Sequence, residues 1–280
     1  MGAQAAELLS RGGPIGDVPD EWRPVDGLRL EAPRPYELRR VALSHGAVGL
    51  SPTGFDGRSL HLRLRGPRGR PTRVVVHPSL EVEADAPLSP ATVRDLRVVL
   101  DLDTDLSALW ETTDTDPRWR WVRASGAGRL LRSPTVWQDA VGVLASTNTS
   151  YAATRAMVGA LVGAGAFPAP EEVLALGQPE LRRRGWGYRA PHLLALAERV
   201  DESWRDLARP DDEVVREVAT LPGFGPFATA QLLPLLGRPR PLVTDGWLAG
   251  LVDVDDYRPL GRWAGSVLWL DVSARWLGRT

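Results

Sequence analysis

Lysine and cysteine are both missing from this 280-residue chain, and all 34 basic residues are arginine. Without cysteine there can be no disulfide, zinc–thiolate site or cysteine-ligated iron–sulfur cluster. Without lysine there is no side-chain amine to attack a carbonyl carbon, because a guanidinium stays protonated and is not nucleophilic. No apolar run reaches the roughly 18 residues of a membrane span. The first residues lack a basic stretch followed by an apolar one, so no secretory signal is predicted and the cytoplasm is the expected compartment. An excess of positive charge is also missing. The net charge of −1 is not the footprint of a strongly basic nucleic-acid binder. It still leaves room for a local arginine cluster with the acids on the far side. The four histidines (His45, His61, His77 and His192) show no metal-ligand spacing. Arginine-only usage with abundant Ala, Gly and Pro points to a GC-rich genome.

The chain has 43% hydrophobic and 25% charged residues, the balance of a soluble globular protein of one large or two ordinary domains. Residues 1–25, rich in Gly, Pro and acids, are expected to be poorly ordered. Residues 26–126 read as a mixed α/β unit. Leu28–Leu30, His61–Arg65 and Arg73–His77 have strand character, and Gly66–Pro71 is a turn by composition. Residues 36–48 are more helical. Ser89 can cap a helix running to Leu106, with Pro90 in its first turn. From residue 127 to 280 the period is helical. Candidate helices are 134–145, 150–164, 169–176, 178–184, 188–200, 211–220, 226–236, 245–252 and 259–277.

Residues 221–230 read Leu-Pro-Gly-Phe-Gly-Pro-Phe-Ala-Thr-Ala. Gly223 and Gly225 can take backbone conformations closed to other residues, so this turn can expose its amides. An apolar helix follows, and successive amides before a helix form a concavity suited to a phosphate. An ordinary turn would read the same way. After the connector Gly237–Leu242 comes a lone carboxylate, Asp245, in Val-Thr-Asp-Gly-Trp. By itself Asp245 is equally a helix cap.

Hairpin and aspartate together resemble the helix-hairpin-helix/Gly-Pro-Asp superfamily of DNA glycosylases. Further segments extend the likeness in the right order. Arg129–Pro134, Ala145–Thr149, Gly187-Tyr-Arg-Ala190 and Pro259–Trp269 resemble segments of 8-oxoguanine DNA glycosylases. Leu28–Val48 resembles the opening of that group and of the bacterial 3-methyladenine DNA glycosylase II. The implied fold class is α+β: an N-terminal antiparallel-sheet α/β domain followed by an all-helical glycosylase domain. The missing cysteines set the chain apart from the cluster-bearing endonuclease III branch.

The resemblance implies roles residue by residue. Gly223 and Gly225 would hold the DNA backbone, and Asp245 would face the sugar whose base is removed. Carbonyls of Ala219, Leu221 and Phe224 match positions that bind a structural Na+ or K+, and no other cofactor is expected. Phe227 stands where bifunctional members carry the lysine that forms a Schiff base and nicks the strand. Asn148 and Tyr188 match residues that fill the gap left by a flipped nucleotide, and Arg189 one that contacts the unpaired partner base. The alternatives are a helix cap, a half-buried core ring and a surface charge. Trp247 and Trp269 would wall the base pocket, while Trp263 reads as core. Gly265 stands where 8-oxoguanine enzymes place a base-reading glutamine; a glycine leaves space for a bulkier base. Among the basic residues, Arg182–Arg184 suit phosphate contact better than Arg63, Arg65, Arg68, Arg70 and Arg73, which read as a solvated strand face.

The expected function is a monomeric, monofunctional DNA glycosylase acting on duplex DNA with a modified base. Alkylated purines, an unusual lesion and a hypermodified phage pyrimidine are all open as substrates. The rival reading is a non-catalytic DNA-binding or damage-sensing module. A helical interaction protein with no DNA role is a third.

Overall fold

The structure, a computed structural model, describes residues 13–19, 23–243, 248 and 250–278. The N-terminal unit is a six-stranded antiparallel sheet. Its strands are β1 (Ile15–Gly16), β2 (Asp26–Arg29), β3 (Thr53–Phe55), β4 (Leu60–Arg65), β5 (Pro71–Val76) and β6 (Glu81–Ala84), in the order β1-β3-β4-β5-β6-β2. The β4–β5 register pairs Leu60 with Val76, Leu62 with Val74 and Leu64 with Thr72. Period-2 alternation therefore sends Leu60, Leu62, Leu64, Val74 and Val76 to one face, where all are buried. Burying each such side chain contributes roughly 1.5–3 kcal/mol. Short helix α1 (Leu38–Ala42) and helix α2 (Pro90–Val99) pack into the same core through Leu38, Val41, Leu96 and Val99.

Two expectations change here. Part of the segment expected to be poorly ordered is structured: Ile15 pairs with Phe55, and Asp17 pairs with Arg63 at 2.6 Å. The helix read over 89–106 stops at Val99. Ser89 caps it as expected, accepting from the Thr92 amide at 3.1 Å. Asp101 then takes φ +53 and ends it, and a separate helix α3 (Ser107–Asp114) follows, then α4 (Trp121–Ala124).

The helical unit comprises α5 (Val136–Ser146), α6 (Tyr151–Val162), α7 (Pro170–Leu181), α8 (Ala190–Arg199), α9 (Asp211–Ala219), α10 (Pro226–Leu232) and α11 (Ala264–Leu277). Thr135 and Ser150 cap α5 and α6 through the amides of Gln138 and Ala153, each cap worth about 1 kcal/mol. The interruption read between 176 and 178 is real: Gly177 has φ +68 and kinks α7. Helices α5 to α10 share one core around Trp186, Leu144, Leu193 and Leu232. Helix α11 instead packs on α3 and α4 through Val267, Leu268, Leu109 and Val122. So α3 and α4, which the sequence groups with the N-terminal unit, share a core with the C-terminal helix.

Candidate nucleic-acid interface and active site

The segment Arg129–Pro134 enters the helical unit through a buried polar knot. Asp101 accepts from the Leu130 amide at 3.0 Å and pairs with Arg132 at 3.0 Å. The Arg129 guanidinium donates to the carbonyls of Asp101 and Thr104. Next along the chain, Asp139 pairs with Arg205 at 2.6 Å and accepts from the Ser133 amide at 2.9 Å. Burial pushes the Asp139 carboxyl upward, and Arg205 opposes it. Such pairs cost more to break than they contribute net, because one charge is left buried alone.

The hairpin joins α9 to α10. The Leu221 amide donates to the Val218 carbonyl and the Phe224 amide to the Leu221 carbonyl, both at 3.0 Å. Gly223 has φ +90, and a Cβ there would lie 2.6 Å from a Leu144 methyl carbon and 3.2 Å from His192 Nδ1. Only glycine fits. Gly225 is different: its φ is −69 and nothing lies within 4 Å of its Cβ position. Leu221 and Phe224 are buried and anchor the turn, while Pro222, Gly223, Gly225 and Pro226 are exposed. The amides of Gly223, Gly225, Phe227 and Ala228 have no hydrogen-bond acceptor among the described residues. These amides are the donors that a phosphate would take. The Phe227 ring is half-buried against the core of α11.

The carbonyls of Leu221 and Phe224 each accept one hydrogen bond, the latter from Thr229 Oγ1 at 3.3 Å. Each keeps a second lone pair. Ala219 is exposed at the end of α9 on the same turn.

Beside the hairpin the structure brings together Asn148 and Tyr188, expected to fill the vacated stack, and Arg189, expected to contact the partner base. Tyr188 is 57% exposed. Arg189 is buried, and its guanidinium carbon lies 4.4 Å from the Tyr188 ring centroid. It donates to the carbonyls of Thr147 and Asn148, the latter at 3.2 Å. Asn148 is exposed with φ +45, at the tip of the loop between α5 and α6. Arg189 thus ties the Tyr188 loop to the Asn148 loop and is not the surface charge the sequence allowed. His192, one helical turn after Tyr188, stands edge-on to its ring with centroids 6.2 Å apart. Its ring also abuts Gly223. In the sequence His192 shows no metal-ligand spacing, but its i, i+4 spacing from Tyr188 is a signal for this contact.

The arginine groups sort differently from expectation. Arg183 and Arg184 share Glu180, and Arg182 is exposed. Arg63 binds Asp17 and the Gly163 carbonyl, and Arg65 binds Glu172 at 2.9 Å. These two fasten the sheet to the helical unit.

Asp245 and Trp247 lie outside the described residues. The connector leading to them is clamped on both sides. Arg238 is buried and donates to the carbonyls of Trp204, Asp206 and Arg209 and to Asp211 Oδ1 at 2.6 Å. The Arg240 amide donates to Ser266 Oγ at 2.9 Å. At Gly265 the expected space is absent. A Cβ there would sit 2.3 Å from the Pro241 carbonyl oxygen and 2.4 Å from that of Arg240. Glycine lets the connector backbone lie directly on α11, so it does not enlarge a pocket.

Trp269 is 6% exposed. Its indole N–H donates to the Ser44 carbonyl at 2.9 Å, and the Arg240 guanidinium covers its ring at 4.9 Å. The cavity beside it, lined by Leu106, Gly128, Leu130, Pro234, Arg240 and Trp269, holds about 60 Å³. That is room for a few waters, well below the roughly 300 Å³ where small-molecule pockets begin. Close by, His45 is half-buried and bonds the Leu131 carbonyl at 2.5 Å. Burial lowers its pKa to about 4, so at neutral pH the ring is uncharged and donates through Nε2.

Among solved structures the chain is similar to a 3-methyladenine DNA-glycosylase from Archaeoglobus fulgidus, with TM-score 0.69 and 15% identity over 91% of this chain and 99% of that one. It is also similar to an 8-oxoguanine glycosylase/lyase from Clostridium acetobutylicum, with TM-score 0.59 and 14% identity over 77% of this chain and 86% of that one. The same enzyme in complex with double-stranded DNA containing cytosine opposite 8-oxoguanine gives TM-score 0.56 at 15% identity, over 78% and 95% of the two chains. No protein-family model matches the chain, and no curated protein matches it significantly. The chain therefore has the α+β fold seen in these solved glycosylase structures. Among the described residues no helix is long and apolar enough to cross a membrane.

Proposed function

We propose that this protein is a DNA glycosylase that flips a modified base from duplex DNA and hydrolyses its N-glycosidic bond, leaving an intact abasic site. The observation that carries the reading is that the Gly223–Gly225 turn, His192 and the exposed Tyr188 and Asn148 lie together, with buried Arg189 bracing the last two. Phosphate grip and wedge are adjacent, as base extrusion requires. The exposed amides would hold one phosphate, with a monovalent cation on the carbonyls of Ala219, Leu221 and Phe224 stiffening the turn. Tyr188 and Asn148 would fill the vacated stack, which costs a few kcal/mol to leave empty.

Bond cleavage develops positive charge on the sugar. Asp245, following the clamped connector, would stabilise that charge and orient or deprotonate the attacking water. With no lysine, the sugar carbon has no side-chain amine to trap it, so the reaction ends at hydrolysis. The protein would act as a monomer and needs no organic cofactor.

Incubating the protein with duplexes and phage genomes carrying different modified bases, and identifying released bases by mass spectrometry, tests the reading. Release of a free base with the backbone intact is expected. Salt-sensitive DNA binding with no release from any substrate would favour the non-catalytic damage sensor instead.

A further inference from the structure

His192 touches both the hairpin and the Tyr188 ring, and its ring nitrogens have no partner among the described residues. The imidazole stands edge-on to Tyr188 at 6.2 Å, and its Nδ1 lies 3.2 Å from where a Cβ on Gly223 would be. Because Gly223 has no side chain, the ring lies directly against the turn. It is half-buried, and neither nitrogen is shut off from solvent. A neutral imidazole has one N–H to donate and a charged one two. His192 therefore offers a free donor beside the exposed turn, where the Gly223 and Gly225 amides also lack acceptors.

The charges nearest this donor have one sign. Arg189 stands at the head of α8 and Arg199 at its end. Arg189 donates to the Thr147 and Asn148 carbonyls, and Arg199 to the carbonyl of Thr220, the residue before the hairpin. Neither guanidinium has a carboxylate partner among the described residues. Arg199, seven residues after His192, shares its helix face, whereas the acid Glu198 lies on another. The hairpin segment Leu221–Phe227 contains no acid. Free donors with no carboxylate to neutralise them take an anion.

Resting on the glycosylase reading, we propose that His192 is a DNA-binding residue: its imidazole donates to the backbone phosphate seated on the Gly223–Gly225 turn. Through its contact with Tyr188 it then ties the phosphate grip to the wedge. The test uses the full chain and an undamaged duplex, so that binding is read apart from base release. His192→Phe keeps a flat ring against Tyr188 and removes both nitrogens. His192→Gln removes the ring and keeps a donor.

A hydrogen bond to a charged group is worth about tenfold or more in affinity. His192→Phe should therefore raise the Kd by about tenfold with a Tm close to wild type, and His192→Gln should recover most of the loss. An unchanged Kd in folded His192→Phe overturns the proposal and leaves the glycosylase reading standing. A loss of equal size in both variants overturns it too, because the ring would then serve only by packing on Tyr188. If His192→Phe does not fold, 15N NMR of the wild type decides. The His192 imidazole resonances, identified by their absence in His192→Gln, should shift when the duplex is added; resonances that stay in place overturn the proposal. Failure of the wild type to bind any duplex overturns both this proposal and the reading beneath it.

Discussion

The guanidinium of Arg189 lies over the ring of Tyr188 and at the same time hydrogen-bonds the Thr147 and Asn148 carbonyls. One buried side chain therefore fixes the spacing of two exposed ones. Substituting each should separate wedge from brace. Tyr188→Ala removes an exposed ring, so stability should stay within about 0.5 kcal/mol while base extrusion, read by 2-aminopurine fluorescence, is lost. Arg189→Ala strands carbonyls and should cost about 1–3 kcal/mol, seen as a lower Tm. Equal Tm for the two variants would contradict the bracing role.

The two hairpin glycines should respond unequally to alanine. At Gly223 the substitution meets φ +90 and a contact of 2.6 Å, and should destabilise by about 1–3 kcal/mol and weaken DNA binding. At Gly225 it meets open space and should change stability by no more than about 0.5 kcal/mol. Denaturant unfolding of both variants decides; equal effects would show that the turn is not shaped as described.

His45 makes stability depend on pH in a defined window. The unfolded chain takes up a proton near the ordinary histidine pKa of about 6.5. The folded chain resists until about 4. Between those values the unfolded state binds more protons, so stability falls as pH falls from about 6.5 and levels off below about 4. The full loss is on the order of 3 kcal/mol. His45→Gln keeps a donor for the Leu131 carbonyl and should flatten that part of the profile. An unaltered slope would mean the imidazole is not held neutral.

The missing amine has its own consequence. Sodium borohydride added during turnover should trap no covalent protein–DNA adduct, apart from one through the N-terminal amine. An efficient adduct mapped elsewhere in the chain would contradict simple hydrolysis.

How much of this was legible beforehand varies by residue. The β4–β5 hairpin announced itself because Leu60–Arg65 and Pro71–Val76 alternate or are β-branched. Strands β3 and β6 did not: Thr-Gly-Phe is three residues with a glycine, and Glu-Val-Glu-Ala carries residues depleted in strands. The break at Gly177 was readable because glycine tolerates φ +68, whereas the end of α2 at Asp101 was not, because an aspartate in the left-handed region is uncommon. Hairpin, Tyr188 and Asn148 could be placed in one site only through their order and likeness to a family. Gly265 was misread because sequence does not say what approaches a missing Cβ; here it is the backbone of its own connector. Arg240 gave no signal, since Trp269, whose ring it covers, is distant in sequence.

The central claim concerns one carboxylate. Asp245→Asn should lower free-base release by on the order of a thousandfold, measured by mass spectrometry on whichever modified duplex the wild type processes, while the Kd for that duplex stays close to wild type. Release at the wild-type rate by a variant that still binds DNA would contradict the assignment of the chemistry to Asp245.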